Sequence, residues 1–167
     1  MSRLETIYLK QKVLSIREKF TFYDRNQKII YKARGNLIAL PKRYQLFDKK
    51  NTPKVEIVRA IFSFMPQFEL YDVSTNHKIC TIRKKFRIGR PILDMATPHG
   101  NYIIDGNIFA HDFRVYNHQN KQVINVQKQW ISWGDAYEIT VDTMQMPLHV
   151  AASIVIAIDC TYHNQRS

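Results

Sequence analysis

The side chains of this 167-residue chain that could do covalent, metal or proton-transfer chemistry are few, and their spacing builds no recognisable reaction centre. There are six histidines: His77, His99, His111, His118, His149 and His163. His111-Asp112, with His118 nearby, comes nearest to a metal-ligand set, but it lacks fixed ligand spacing such as that of a helical HExxH pair. Ordinary loop or strand histidines are the expected reading. His149 lies in an apolar run and is expected to be a hydrogen-bonded core residue, because buried polar groups are normally paired. Asp94, Asp105 and Asp112 cannot be assigned to a common site from their positions. GxSxG, a P-loop, GxGxxG and a Cys-His arrangement are all absent from the sequence. The two cysteines, Cys80 and Cys160, form no CxxC and sit in apolar runs. They read as buried free thiols of a reducing compartment. The expectation is a protein that is not an enzyme and holds no metal or cofactor.

Anion binding is the chemistry the composition favours. The chain has 25 basic and 14 acidic residues, a net charge of +11 and a pI of about 9.7. Residues 73–93 contain no acid and six bases, namely Lys78, Arg83, Lys84, Lys85, Arg87 and Arg90. A second cluster comprises Lys42, Arg43, Lys49, Lys50 and Lys54. Arginine can fork onto phosphate oxygens, and a cation beside an anionic bilayer contributes about 1 kcal/mol. The plainer alternative is a solvated, solubilising face. The partners expected are an anionic membrane surface or a phosphorylated ligand. A nucleic-acid binder comes next, and an enzyme with a non-standard site after that. Trp130 and Trp133, with Phe62 and Phe64 at equivalent repeat positions, could stack bases. Their equivalence, and their separation from the basic clusters, favour a shared role in core packing instead.

A repeat supplies the elements that position these groups. The pattern aromatic, any residue, aliphatic or aromatic occurs at Phe20-Thr-Phe22, Tyr44-Gln-Leu46, Phe68-Glu-Leu70, Phe113-Arg-Val115 and Tyr137-Glu-Ile139. In the first four a further aromatic and an Asp or Asn follow: Tyr23-Asp24, Phe47-Asp48, Tyr71-Asp72 and Tyr116-Asn117. Alternation puts one set of side chains on each face of a strand. Asp or Asn then opens a turn, because its side chain accepts from nearby backbone amides. A β-rich return strand follows each turn, giving hairpins. A shift of the chain lays residues 44–70 on 113–139 and Ile61-Phe-Ser-Phe64 on Trp130-Ile-Ser-Trp133. This predicts one domain over 1–167 made of two similar halves, about 20–72 and 68–141, with an insertion near 83–101. Ten or more short strands in one domain imply a sandwich or closed barrel.

Residues 148–158 are apolar all round apart from His149 and Ser153. Length favours a helix over a core strand. A helix apolar on every side must be buried on every side, so a helix over about 144–158, ended by Asp159, is expected to thread the barrel. That would leave no substrate chamber. The segment is too short to span a bilayer, and Met1-Ser-Arg-Leu-Glu-Thr does not resemble a signal peptide. A cytoplasmic protein, peripheral to the inner membrane face, is the expectation.

Tyr8-Leu-Lys-Gln-Lys-Val-Leu-Ser15, Phe20-Thr-Phe-Tyr-Asp24, Tyr102-Ile-Ile-Asp-Gly106, Phe113-Arg-Val-Tyr116, Tyr137-Glu-Ile139 and Ile156-Ala-Ile-Asp159 together resemble the LURP-one-related family. That family is similar in fold to the tubby C-terminal domain and the phospholipid scramblases. The resemblance covers about residues 7–159. It implies a mostly β fold: a closed antiparallel barrel of about twelve strands around a central hydrophobic C-terminal helix. It supplies no catalytic residues. Phosphoinositide binding by tubby-like domains is an analogy at the level of fold alone.

Overall fold

The computed structural model describes residues 1–11, 19–36, 40–88, 90–131 and 134–163. Among them the chain forms β1 (Leu4–Gln11), β2 (Lys19–Tyr23), β3 (Ile29–Asn36), β4 (Arg43–Asp48), β5 (Pro53–Arg59), β6 (Gln67–Asp72), β7 (Lys78–Arg87), β8 (Arg90–Thr97), β9 (Gly100–Asn107), β10 (Asp112–Tyr116), β11 (Gln122–Ile131), β12 (Gly134–Asp142) and α1 (Leu148–His163). Each strand pairs antiparallel with its sequence neighbours. β1 also pairs with β12, from Leu4 opposite Asp142 to Leu9 opposite Tyr137. The sheet is therefore a closed barrel, which removes the free edges that would otherwise invite pairing with other chains. The expected twelve-stranded antiparallel barrel and its C-terminal helix are both present.

The repeated motif has a local cause at each occurrence. The register shifts between Phe22 and Tyr23, Leu46 and Phe47, Leu70 and Tyr71, and Val115 and Tyr116. Each strand thus carries an irregularity just before its turn, which raises the local twist. The turn then closes on the acidic or amide side chain. Asp24 Oδ1 accepts from the backbone N–H of Asn26 (2.8 Å) and Lys28 (2.9 Å). Asp48 Oδ1 accepts from Lys50 and Thr52, both at 2.9 Å. Asn117 Oδ1 accepts from Gln119 (3.0 Å) and Lys121 (2.9 Å). Gln27, Asn51, Asn76 and Asn120 hold positive φ at matching places, 56–63°. Asn tolerates that conformation better than most residues.

Strand alternation points Tyr44, Leu46, Val55, Ile57, Phe68, Leu70, Ile82, Phe113, Val115, Ile124, Ile139 and their neighbours inward, all fully buried. α1 fills the space they enclose. Ala151 through Ile158 are each no more than 2% exposed. Ser153 Oγ donates to the His149 carbonyl at 2.8 Å and Thr161 Oγ1 to the Ala157 carbonyl at 2.7 Å, so the hydroxyls are satisfied within the helix.

The helix differs in extent from the expected 144–158. Its start is delayed because Asp142 holds the preceding residues in a turn. The Asp142 carbonyl accepts from Gln145 (2.9 Å) and Met146 (3.1 Å), and its carboxylate accepts from Met144 (3.2 Å). The helix also runs on past Asp159 to His163. Asp159 does not stop it, because its carboxylate meets His111 Nε2 at 2.8 Å and needs no exposure to water. His149 is likewise not a core histidine. It is half-buried in the first turn, and burial holds its imidazole below the ordinary pKa, with Lys54 adding to this and Asp72 opposing it.

Candidate anion-binding rim

Odd-numbered strands run from a lower end to an upper end. At the lower end are the turns 24–28, 49–52, 73–77 and 117–121, and the link into α1. At the upper end are the connections 60–66 and 108–111, the tip of the β7–β8 hairpin, and the end of α1. This division sorts the predicted cations.

Lys78 begins β7 at the lower end. Its Nζ lies 2.8 Å from Glu69 Oε1 and 5.8 Å from the Tyr71 ring centre. The hydrogen bond to Glu69 raises the Lys78 pKa. Lys49, Lys50 and Lys54 are also at the lower end, where Lys54 Nζ is 3.5 Å from Asp48. The cluster 42–54, contiguous in sequence, is therefore split, because β4 carries the chain from one end to the other. Arg43 stays near the upper end but is paired, with Nη1 3.0 Å from Glu56 Oε1. Arg83 and Lys85 share one carboxylate: Asp94 Oδ2 lies 3.6 Å from Arg83 Nε and 2.9 Å from Lys85 Nζ. One positive charge remains over.

Lys42, Arg59, Lys84 and Arg87 make no ion pair with another described residue. Arg59 escaped the sequence reading, although a hairpin between β4 and β5 must bring it opposite the start of β4. Its backbone N–H donates to the Lys42 carbonyl at 3.0 Å. The two residues line a groove of about 210 Å³ with Leu40, Ile61, Ser63 and Met65. Lys84 faces inward where the barrel opens and is 8% exposed; its Nζ stands 4.8 Å over the Tyr162 ring. Arg87 is exposed beside the hairpin tip, opposite the backbone of Arg90. The side chain of Arg90 lies outside the described residues.

The expectation that Phe62 and Phe64 pack in the core is overturned. They are 100% and 102% exposed, on the β5–β6 loop. The register of β5 and β6 closes at Arg59 opposite Phe68, which leaves the residues between them beyond the sheet. The side chain of Trp130, and Trp133 altogether, fall outside the described residues.

The other candidate groups do not assemble. His111 is at the upper end and stacks on Tyr137 at 3.9 Å between ring centres. His118 belongs to a lower-end turn. Among the described residues no three His, Cys, Asp or Glu side chains converge as metal ligands. The niche bounded by Leu9, His111, Tyr137 and Asp159 is too tight to admit a water molecule. No described helix is long and apolar enough to cross a membrane. Cys80 and Cys160 are both buried, and burial pushes the Cys80 thiol pKa up to about 12. The thiolate is the reactive form, so the folded protein should consume no disulfide reagent until denaturant is added. Stoichiometric labelling of the native state would contradict the burial of these thiols.

A closed antiparallel barrel threaded by its own C-terminal helix sets the class of protein. The LURP-one-related family model matches residues 5–159, and the chain belongs to that family. It is similar to the uncharacterized protein YxjI of Bacillus subtilis, with 26% identity over 159 residues, covering 95% of this chain and 94% of that protein. It is similar in fold to a protein of Arabidopsis thaliana solved by X-ray methods. That match has a TM-score of 0.61 at 16% identity and covers 92% and 90% of the two chains.

Proposed function

We propose that the protein is a non-catalytic module that holds anionic phospholipid headgroups against the upper end of its barrel. The observation that carries this reading is the gathering of Lys42, Arg59 and Arg87 at that end without carboxylate partners among the described residues. Unneutralised cations on one face attract phosphate oxygens and concentrate anionic ligands. The filled interior favours a surface ligand over an enclosed one, since α1 occupies the place that open barrels leave for a cargo.

Sedimentation with vesicles tests the reading. At low salt the protein should pellet with phosphatidylcholine–phosphatidylserine vesicles and stay in solution with phosphatidylcholine alone. Replacing Lys42, Arg59 and Arg87 together by Gln should weaken retention on the order of 100-fold, at about 1 kcal/mol per charge. Equal retention on the two vesicle types would overturn the proposal. Steeply salt-dependent binding to nucleic acid without lipid retention would replace it with a nucleic-acid reading.

A further inference from the structure

We propose that the upper end does more than touch headgroups: Phe62, Phe64, Phe86 and Ile88 insert their side chains into the interfacial layer of an anionic bilayer. This rests on the headgroup reading and adds to it the apolar half of the contact.

Among the described residues, exposed large apolar side chains occur at both ends, with Met1, Leu4 and Met144 at the lower one, but the upper end has more of them and all of the phenylalanines. Leu40 (88%), Phe62 (100%), Phe64 (102%) and Ile88 (97%) are almost wholly in water at the upper end, with Ile61, Phe86 and Phe109 more than half exposed there. Every exposed phenylalanine among the described residues is at this end. Exposed apolar groups concentrated in this way mark a surface that is covered in use. The β5–β6 loop and the β7–β8 hairpin are joined at their bases, because Lys84 N–H donates to the Pro66 carbonyl at 3.0 Å. Leu40 and Ile61 line the same groove, which continues the patch to the chain before β4. Phe109 meets Tyr162 edge-on at 4.7 Å between ring centres and extends the patch toward the end of α1.

Charge decides between the possible occupants. Residues 37–43, 59–66 and 83–93 contain no acidic residue, and Lys42, Arg59 and Arg87 flank the apolar tips. Apolar tips ringed by cations match a layer whose interior is hydrocarbon and whose surface is anionic. A second copy of this chain would oppose cations with cations, which costs free energy at any dry interface. The tips stand on separate loops, and a fluid bilayer can receive them without a matching pocket.

The test uses Phe62→Cys carrying an environment-sensitive fluorophore; both native cysteines are buried. On phosphatidylcholine–phosphatidylserine vesicles the emission should shift to the blue and be quenched by lipids spin-labelled near the headgroup. The quadruple variant Phe62→Ser/Phe64→Ser/Phe86→Ser/Ile88→Ser should partition about 100-fold or more less strongly, given the burial energy of a large apolar side chain. Its melting temperature should fall by only a few degrees, because Phe62, Phe64 and Ile88 are almost wholly exposed and Phe86 mostly so. If the wild-type protein binds these vesicles but the label stays in water and the serine variant binds equally well, insertion is wrong while headgroup binding stands. If the wild-type protein does not bind at all, both fall. A concentration-dependent dimer, or a complex with an acidic protein, that is abolished by the serine substitutions would assign the tips to a protein partner and overturn the proposal.

Discussion

Ile156→Asp is expected to leave no cooperatively folded protein. Ile156 is completely buried in the middle of α1, and the strands surround it on every side. A carboxylate there would have neither water nor a partner, and a lone buried charge costs several kcal/mol even after relaxation. The lost packing of the isoleucine adds about 2–5 kcal/mol. Together these approach the whole stability of an ordinary domain, about 5–15 kcal/mol. Graded variants separate the two contributions. Ile156→Val should cost about 0.5–1.5 kcal/mol and Ile156→Ala about 2–5 kcal/mol. At roughly 2–4 °C per kcal/mol for a chain of this size, the alanine variant should melt about 4–20 °C lower. Circular dichroism melts of the series decide the matter. An aspartate variant with a wild-type melt would mean that the helix does not fill the barrel.

Gly106→Ala should be the most damaging of the Gly→Ala changes at Gly35, Gly100 and Gly106. Gly106 stands at φ +118° on β9, opposite Phe113 of β10. A Cβ there would lie 2.5 Å from the Asp112 carbonyl oxygen and 2.8 Å from the Phe113 Cα. Both are backbone atoms fixed in the β9–β10 ladder, so no rotamer change relieves the contact. The positive φ alone costs on the order of 1–3 kcal/mol for a residue with a side chain. With the clash added, a loss of at least about 3 kcal/mol is expected, within the range diagnostic of backbone effects. The urea midpoint should fall while the slope is kept, since the exposed surface on unfolding hardly changes. An unshifted midpoint would show that the β9–β10 pair can open to admit the methyl group.

Much of the fold is legible in the chain because short-range chemistry writes it. Each aromatic triplet followed by Asp or Asn marks a strand end and a turn, and the observed Asp24, Asp48 and Asn117 turns have that reading's hydrogen bonds. The apolar run 148–158 had to be buried all round, and α1 buries it. The ends of α1 were harder to read, because they depend on partners distant in sequence: Asp142 tied to the N-terminal strand, and His111 waiting for Asp159. The rim was only partly legible. A run of cations in sequence does not reveal which of them Asp94 or Glu56 will neutralise, or which strand will carry half the cluster to the far end. Phe62 and Phe64 misled for a related reason. Hydrophobicity records that a side chain leaves water when it can, not whether the cover comes from its own chain. The β5–β6 ladder ends at Arg59 opposite Phe68, whereas the equivalent β11–β12 ladder runs on through Trp130 and Ile131, so the repeat itself pointed the wrong way.

The seam between β1 and β12 joins Leu4 to Asp142, and the plug follows only after it. On the ribosome, every earlier strand emerges into a sheet that still has two raw margins and a hollow, greasy concavity. The margins are sealed only when β12 reaches β1, and the concavity only when α1 enters it. Local hairpins can form as they appear, but the pairing of β1 with β12 spans almost the whole barrel sequence and is the costliest contact to close.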